Sequence, residues 1–186
     1  MATSGDIGVG SVIRFDGVLC RVEEYIHRTP GNLRAFYQAR MRNLKTGKLV
    51  ENRFRVGENV ELVRVEYKMM QYIYPEGDFI VCMNNETYEQ IYIPGFLLGD
   101  SLKFLKEGMD VKVSFEGDEP ILAEGPVFVE LLVTYTEPGE RGNTATNTLK
   151  PATLETGAIV KVPLFINEGE KIRVDTRTSE YTERVK

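Results

Sequence analysis

Apolar and polar residues alternate with a period of two along most of the chain. In AFYQARMR, Ala35, Tyr37, Ala39 and Met41 fall on one face, and Phe36, Gln38, Arg40 and Arg42 on the other. VFVELLVTY assigns Val127, Val129, Leu131, Val133 and Tyr135 to one side. DVKVSFE buries Val111, Val113 and Phe115, and KIRVD buries Ile172 and Val174. Alternation over short runs predicts half-buried antiparallel strands, because successive strand side chains point to opposite faces. Turn signals separate the runs: FDG, TPGN, KTGK, PEGD, EGDE, EPGE and NEGE. One segment, PGFLLGDSLKFLKEG, has room for a helical turn or two with Phe96, Leu102 and Leu105 inward. No long amphipathic helix is visible. The pattern predicts an all-β chain of small antiparallel barrels or sandwiches.

Two breaks divide the 186 residues. Charge changes sign between Arg64 and Glu66, and one strand ends at Gly125-Pro126 before another begins. Three units follow, 1–64, 65–126 and 127–186. Each is near the lower size limit for a self-sufficient core. The net charge of −5 hides an asymmetry. Residues 1–64 carry eleven Lys+Arg against seven Asp+Glu, and nine of the eleven are arginine. Residues 65–126 carry four against twelve, and residues 127–186 eight against nine. Arginine presents a planar fork of donors that suits phosphate, so the first unit points to nucleic acid or another polyanion.

Other chemistry is excluded in turn. The glycines of GDIGVG follow no strand and open no helix pattern, so a dinucleotide loop is not expected. His27, the one histidine, has no nucleophile motif to serve. The acids of the middle unit lack calcium-loop spacing and read as a solvated face. Cys20 and Cys82 suffice for neither a disulfide framework nor a zinc site, and read as reduced thiols. No apolar run approaches the roughly 18 residues of a membrane span. No basic-then-apolar leader opens the chain, and a cytoplasmic location is expected. Asn85–Thr87 matches a glycosylation sequon that such a location leaves unused. No cofactor and no metal is expected.

The segment HRTPGNLRAFYQARMRNLKTGK is the most pointed. A strand ends at His27, a Pro30-Gly31 turn follows, and a strand restarts at Ala35. The hairpin tip carries Arg28, Asn32, Leu33 and Arg34; Arg40 and Arg42 follow on the strand, with Lys45 and Lys48 beyond. A protruding cationic loop beside a basic strand suits insertion into a nucleic-acid crevice.

In the third unit, Lys150, Ala152, Gly157, Val160, Val162, Pro163, Ile166 and Gly169 fall at the spacing K-x-A-x4-G-x2-V-x-V-P-x2-I-x2-G. This resembles the signature of bacterial elongation factor P. TYTEPGERGNTATNTLKPAT and VDTRTSEYTERV on either side, MRNLKTGKLVENRFR in the first unit and QYIYPEGDFIVCMNNETYEQI in the second are similar to the same family. The resemblance implies an SH3-like, KOW-type barrel followed by two OB-type barrels, in an elongated, tRNA-like molecule. It implies a monomeric, non-enzymatic translation factor that binds no DNA and no membrane. The partners it implies are the ribosome and peptidyl-tRNA, and the activity it implies is stimulation of peptide-bond formation, above all at consecutive prolines. Pro30, Gly31, Asn32, Leu33 and Arg34 are then the loop facing the peptidyl transferase centre, and Arg28, Arg40 and Arg42 candidate RNA contacts. The other reading is a generic OB-fold binder of single-stranded nucleic acid.

Two positions depart from the family pattern. Its tip reads P-G-K-G-x-A-F, with a lysine extended by β-lysylation, or an arginine that is rhamnosylated in other branches. Here Asn32 stands at that position and Leu33 at the following glycine. Asn32 has no amine or guanidinium, so a bare loop is expected, with Pro30 and Gly31 setting a tight turn and Arg34 supplying the cation. Ser179 replaces a common glycine, so that turn is expected not to need a positive φ.

Overall fold

The computed structural model describes residues 2–31, 33–139 and 148–185. They form three antiparallel sheets with one short helical segment, so the chain is all-β. By spatial proximity the chain divides into two compact units, residues 1–67 with 114–122, and residues 68–113 with 123–186.

The first sheet contains β1 (Ala2–Thr3), β2 (Val12–Phe15), β3 (Val18–Arg28), β4 (Phe36–Asn43), β5 (Leu49–Arg55) and β6 (Asn59–Leu62). Their spatial order is β1-β6-β2-β3-β4-β5, which leaves β5 at an edge. Ile13, Cys20, Val22, Ala39, Met41 and Phe54 fill the core, as the alternation on β4 predicts. Leu19, Leu44 and Val65 pack with Val12, Val63 and Ile121 in a second cluster of the same unit.

The second sheet contains β7 (Glu66–Glu76), β8 (Phe79–Asn84), β9 (Gln90–Pro94), β10 (Asp110–Glu116) and β11 (Glu119–Glu124), in the order β11-β10-β7-β8-β9. Val111, Val113 and Phe115 are buried as expected. Between β9 and β10 lies a 3-10 segment, Gly95–Phe104, broken at Gly99 (φ 54°, ψ −137°). Its inward residues differ from the expectation: Leu98, Phe104 and the following Leu105 are buried, Leu102 is partly buried, and Phe96 is exposed. The break at Gly99 resets the angular phase, so one helical wheel cannot describe both halves.

The third sheet contains β12 (Phe128–Thr136), β13 (Leu149–Leu154), β14 (Ile159–Pro163), β15 (Lys171–Asp175) and β16 (Glu180–Val185), in the order β14-β13-β12-β15-β16. Val129, Leu131, Val133, Ile172 and Val174 are buried. Val127 and Tyr135, assigned to the same inner face, are exposed. Val127 precedes the strand, and a bulge between Val133 and Tyr135 shifts the register so that Thr136 turns inward instead. The Thr136 hydroxyl donates to the Pro151 carbonyl at 2.9 Å, which satisfies it there.

Ser179 also corrects an expectation. It closes the four-residue loop between Asp175 and Glu180 with φ 59°, in the left-handed region. The tight reversal needs that conformation whichever residue stands there, and serine bears a cost of about 1 kcal/mol relative to glycine. Of the family-signature residues, Lys150, Ala152 and Val162 are buried. The Lys150 amine donates to the Glu137 carbonyl at 2.6 Å, which offsets the burial of a charge. Gly157 and Gly169 hold φ of 85° and 86°, and Pro163 ends β14. Residues 140–147, within the stretch TYTEPGERGNTATNTLKPAT, lie outside the described residues.

Candidate nucleic-acid interface

The hairpin of β3 and β4 is built by pairing from Cys20–Asn43 out to Arg28–Phe36. The strands end at Arg28 and restart at Phe36, one residue beyond each expected boundary. At the tip, the Leu33 N–H donates to the Pro30 carbonyl at 3.1 Å and closes a turn. Pro30 is the first residue of that turn and supplies its accepting carbonyl. Gly31 has no positive φ, so its permissiveness is not what makes the turn. Asn32 lies outside the described residues. Leu33 is 75% exposed, too much to be packing against the stem.

The stem is stiffened by aromatic rings. Tyr25 and Tyr37 stack with centroids 5.0 Å apart and planes 10° apart, and His27 leans on Tyr37 at 4.9 Å. The Tyr25 hydroxyl donates to the Ser4 carbonyl at 2.5 Å. Burial, then the neighbouring Tyr37 and Glu58, push the Tyr25 phenol up to about 12. Ser4 is buried; its hydroxyl donates to the Arg55 carbonyl at 2.7 Å and accepts from the Gly57 N–H at 3.1 Å. The N-terminal segment therefore ties the hairpin stem to the β5–β6 turn.

A bulge in β3 decides the electrostatics. Val22 pairs with Met41 and Glu24 with Arg40, so Glu23 is the extra residue. Strict alternation would send Glu23 and Glu24 to opposite faces. The bulge lets both meet the polar face of β4, where Arg40 and Arg42 stand two residues apart. Arg42 is held by Glu23 through Nε–Oε1 at 2.5 Å and Nη2–Oε2 at 3.1 Å, and also donates to the Gly47 carbonyl at 2.9 Å. That carboxylate raises the Arg42 pKa. Arg40 Nη1 meets Glu24 Oε1 at 3.2 Å.

The candidate contacts thus separate into two groups. Arg28 and Arg34 are exposed at the tip, and among the described residues neither side chain has an ion-pair or hydrogen-bond partner. Arg40 and Arg42, four and six residues along β4 from Phe36, are ion-paired. Sequence reasoning missed the bulge, although two consecutive acids inside an alternating strand are its signal. It also missed Tyr25 as the anchor of the stem. Among the described residues no cluster of three or more His, Cys, Asp or Glu is arranged to hold a metal, and no helix is long and apolar enough to cross a membrane. Cys20 and Cys82 are buried free thiols; burial pushes Cys82 up to about 11.

Family models match nearly the whole chain. Residues 3–60 match the elongation factor P KOW-like domain, 65–123 the elongation factor P OB domain, and 129–184 the elongation factor P C-terminal domain. Elongation factor P of Chloroherpeton thalassium is 52% identical over 187 residues, with all of both chains covered. That of a Roseiflexus species is 48% identical over 187 residues, again with both chains fully covered. Among solved structures, eukaryotic translation initiation factor 5A from Methanococcus jannaschii superposes with a TM-score of 0.50 at 20% identity. It covers 64% of this chain and 90% of its own, a likeness of fold alone.

Proposed function

The chain belongs to the elongation factor P family, a family of translation elongation factors, and from that premise we propose that it binds the ribosome beside the peptidyl-tRNA. There it stimulates peptide-bond formation, above all at consecutive prolines. The observation that carries this reading is the hairpin tip, where Arg28 and Arg34 stand exposed and unpaired among the described residues on a stem locked by Tyr25, Tyr37 and His27.

Pro30, Gly31, Asn32, Leu33 and Arg34 form the loop that packs against the acceptor end of the peptidyl-tRNA. Restricting a flexible donor removes part of the entropic barrier, a contribution that positioning alone supplies. The ribosome performs the chemistry, and this protein contributes no catalytic residue. It acts as a cytoplasmic monomer without DNA or membrane partners, with units of 1–64, 65–126 and 127–186. Asn32 offers no amine or guanidinium, so the loop works unmodified and Arg34 supplies the phosphate or ribose contact.

A reconstituted translation reaction tests this. Adding the protein speeds synthesis through consecutive prolines and leaves ordinary sequences nearly unchanged. Arg34→Ala lowers that stimulation roughly ten- to hundredfold, the range for a lost charged hydrogen bond. Its urea midpoint stays at the wild-type value, since a loop-tip side chain adds little to the core. Full activity of Arg34→Ala defeats the role given to that residue. A mass increase mapped between Arg28 and Arg34 in protein from its native cell defeats the bare loop.

A further inference from the structure

The polar face of β3, β4 and β5 changes character along its length. Its rows follow from the pairing: Arg28–Phe36–Arg55 nearest the tip, then Ile26–Gln38–Arg53, then Glu24–Arg40–Glu51. The third row sets two acids around one arginine. The first two contain three arginines and no acid. Arg28, Arg53 and Arg55 are exposed, and among the described residues none of their side chains has an ion pair. Glu58, the acid nearest Arg55 in sequence, is engaged through its Oε2 by the Arg55 backbone N–H at 2.7 Å.

An aromatic plane lies among these cations. The Arg53 guanidinium sits over the Phe36 ring, 5.3 Å from its centroid. Ile26 is 40% exposed beside it. A shallow cleft of about 350 Å³ opens between Gln38, Glu51, Asn52 and Arg53. Strand spacing places Arg28 and Arg55 about 10 Å apart across the Phe36 strand, and Arg53 about 7 Å from Arg55 along β5.

We propose that this tip-proximal half of the face is a binding platform for single-stranded RNA. An unstacked base lies on the Arg53–Phe36 pair, and Arg28 and Arg55 hold the flanking phosphates. Phosphate contact alone needs only the arginines. A guanidinium already stacked on an aromatic ring adds a plane that only a splayed-out base can use, which selects single strands over duplex. Gln38, at the cleft edge, offers an amide to the base. The platform rests on the ribosomal reading above, and extends the contact from the loop to the edge strand β5.

Full-length protein titrated at low salt with a labelled single-stranded ribohexanucleotide, and with a blunt RNA duplex of equal nucleotide count, tests it. The expected result is at least fivefold preference for the single strand, with the Phe36 ring resonances shifted upfield on binding. Phe36→Leu loses about tenfold in affinity, and Phe36→Tyr, which keeps the ring, retains it. Arg28→Gln with Arg55→Gln reduces the slope of log affinity against log salt by about 1.4, two phosphates at about 0.7 each. Lys45→Gln with Lys48→Gln, an equal charge change in the β4–β5 turn, shifts affinity less than twofold. Equal or tighter duplex binding, no detectable binding, an unaffected Phe36→Leu that unfolds at the wild-type urea midpoint, or equal losses in the two double variants overturns the platform. So does a glutamate-rich peptide that competes as well as RNA, which makes the face a protein site. Stimulation at consecutive prolines without single-strand preference sinks the platform alone; preference without stimulation supports the platform and sinks the ribosomal reading.

Discussion

The two ends of one hairpin face use the same residue type differently. At the stem, Arg40 and Arg42 meet Glu24 and Glu23 across the sheet, and their charge is spent inside the protein. At the tip, Arg28, Arg34, Arg53 and Arg55 face solvent without an acid partner among the described residues. Counting arginines singles out the first unit but not a surface within it. Strand register finds the surface, and a single bulged residue, Glu23, sets that register. Surface ion pairs contribute about 0–1 kcal/mol. The pairing at the stem therefore matters less for stability than for leaving the cation density concentrated at the tip.

Giving the tip an acid is the most direct way to erase the difference. Gln38→Glu sets a carboxylate opposite Arg53, its pairing partner on β5. RNA affinity should fall about tenfold through lost complementarity and added repulsion, read by titration at fixed low salt. Stability should change by less than about 0.5 kcal/mol, as for other exposed substitutions.

The stem can be loosened instead of recharged. Tyr25→Phe deletes the donor to the buried Ser4 carbonyl and should cost about 1–2 kcal/mol in urea denaturation. Stimulation at consecutive prolines should fall with it at temperatures where the protein is still folded, because the tip cations lose their fixed aim. Unchanged stimulation at full stability loss separates anchoring from function.

A smaller effect comes from releasing a stem cation. Glu23→Gln frees Arg42 from its bidentate partner. Non-specific RNA affinity should rise two- to threefold at low salt and return to the wild-type value near physiological salt, where exposed charges are screened within about 8 Å. Stability should drop by less than about 1 kcal/mol.

The smallest effect lies in alkaline stability. Cys82 is raised from 9.0 to about 11, and Tyr25 from 10.0 to about 12, with burial the first cause of each. In both, the folded state holds its proton more tightly than the unfolded chain. Their contribution is complete below pH 9 and is lost as pH rises from about 9 to 12. A urea midpoint that is flat from neutral pH to 9 and falls beyond it checks this. Cys82→Ala should soften the early part of that fall, after allowance for its lower starting stability.

Period-two alternation determined β4, β10, β12 and β15 and most of their inner faces. Ala39, Met41, Val111, Val113, Leu131 and Ile172 are buried where the pattern put them, because one face of an antiparallel sheet must be apolar. The signature around Lys150 to Gly169 was equally legible, since buried positions and positive-φ glycines tolerate few residue types. Tertiary structure alone decided what interrupts the period. The bulge at Val133–Tyr135 exchanged Tyr135 for Thr136, and the break at Gly99 turned Phe96 outward. The β15–β16 reversal put Ser179 at φ 59° against its preference. It also decided which arginines have their charge compensated, because an ion pair depends on which residue the partner strand sets opposite. The bulge at Glu23 fixes that choice for Arg40 and Arg42, and the edge position of β5 brings Arg53 and Arg55 beside Phe36.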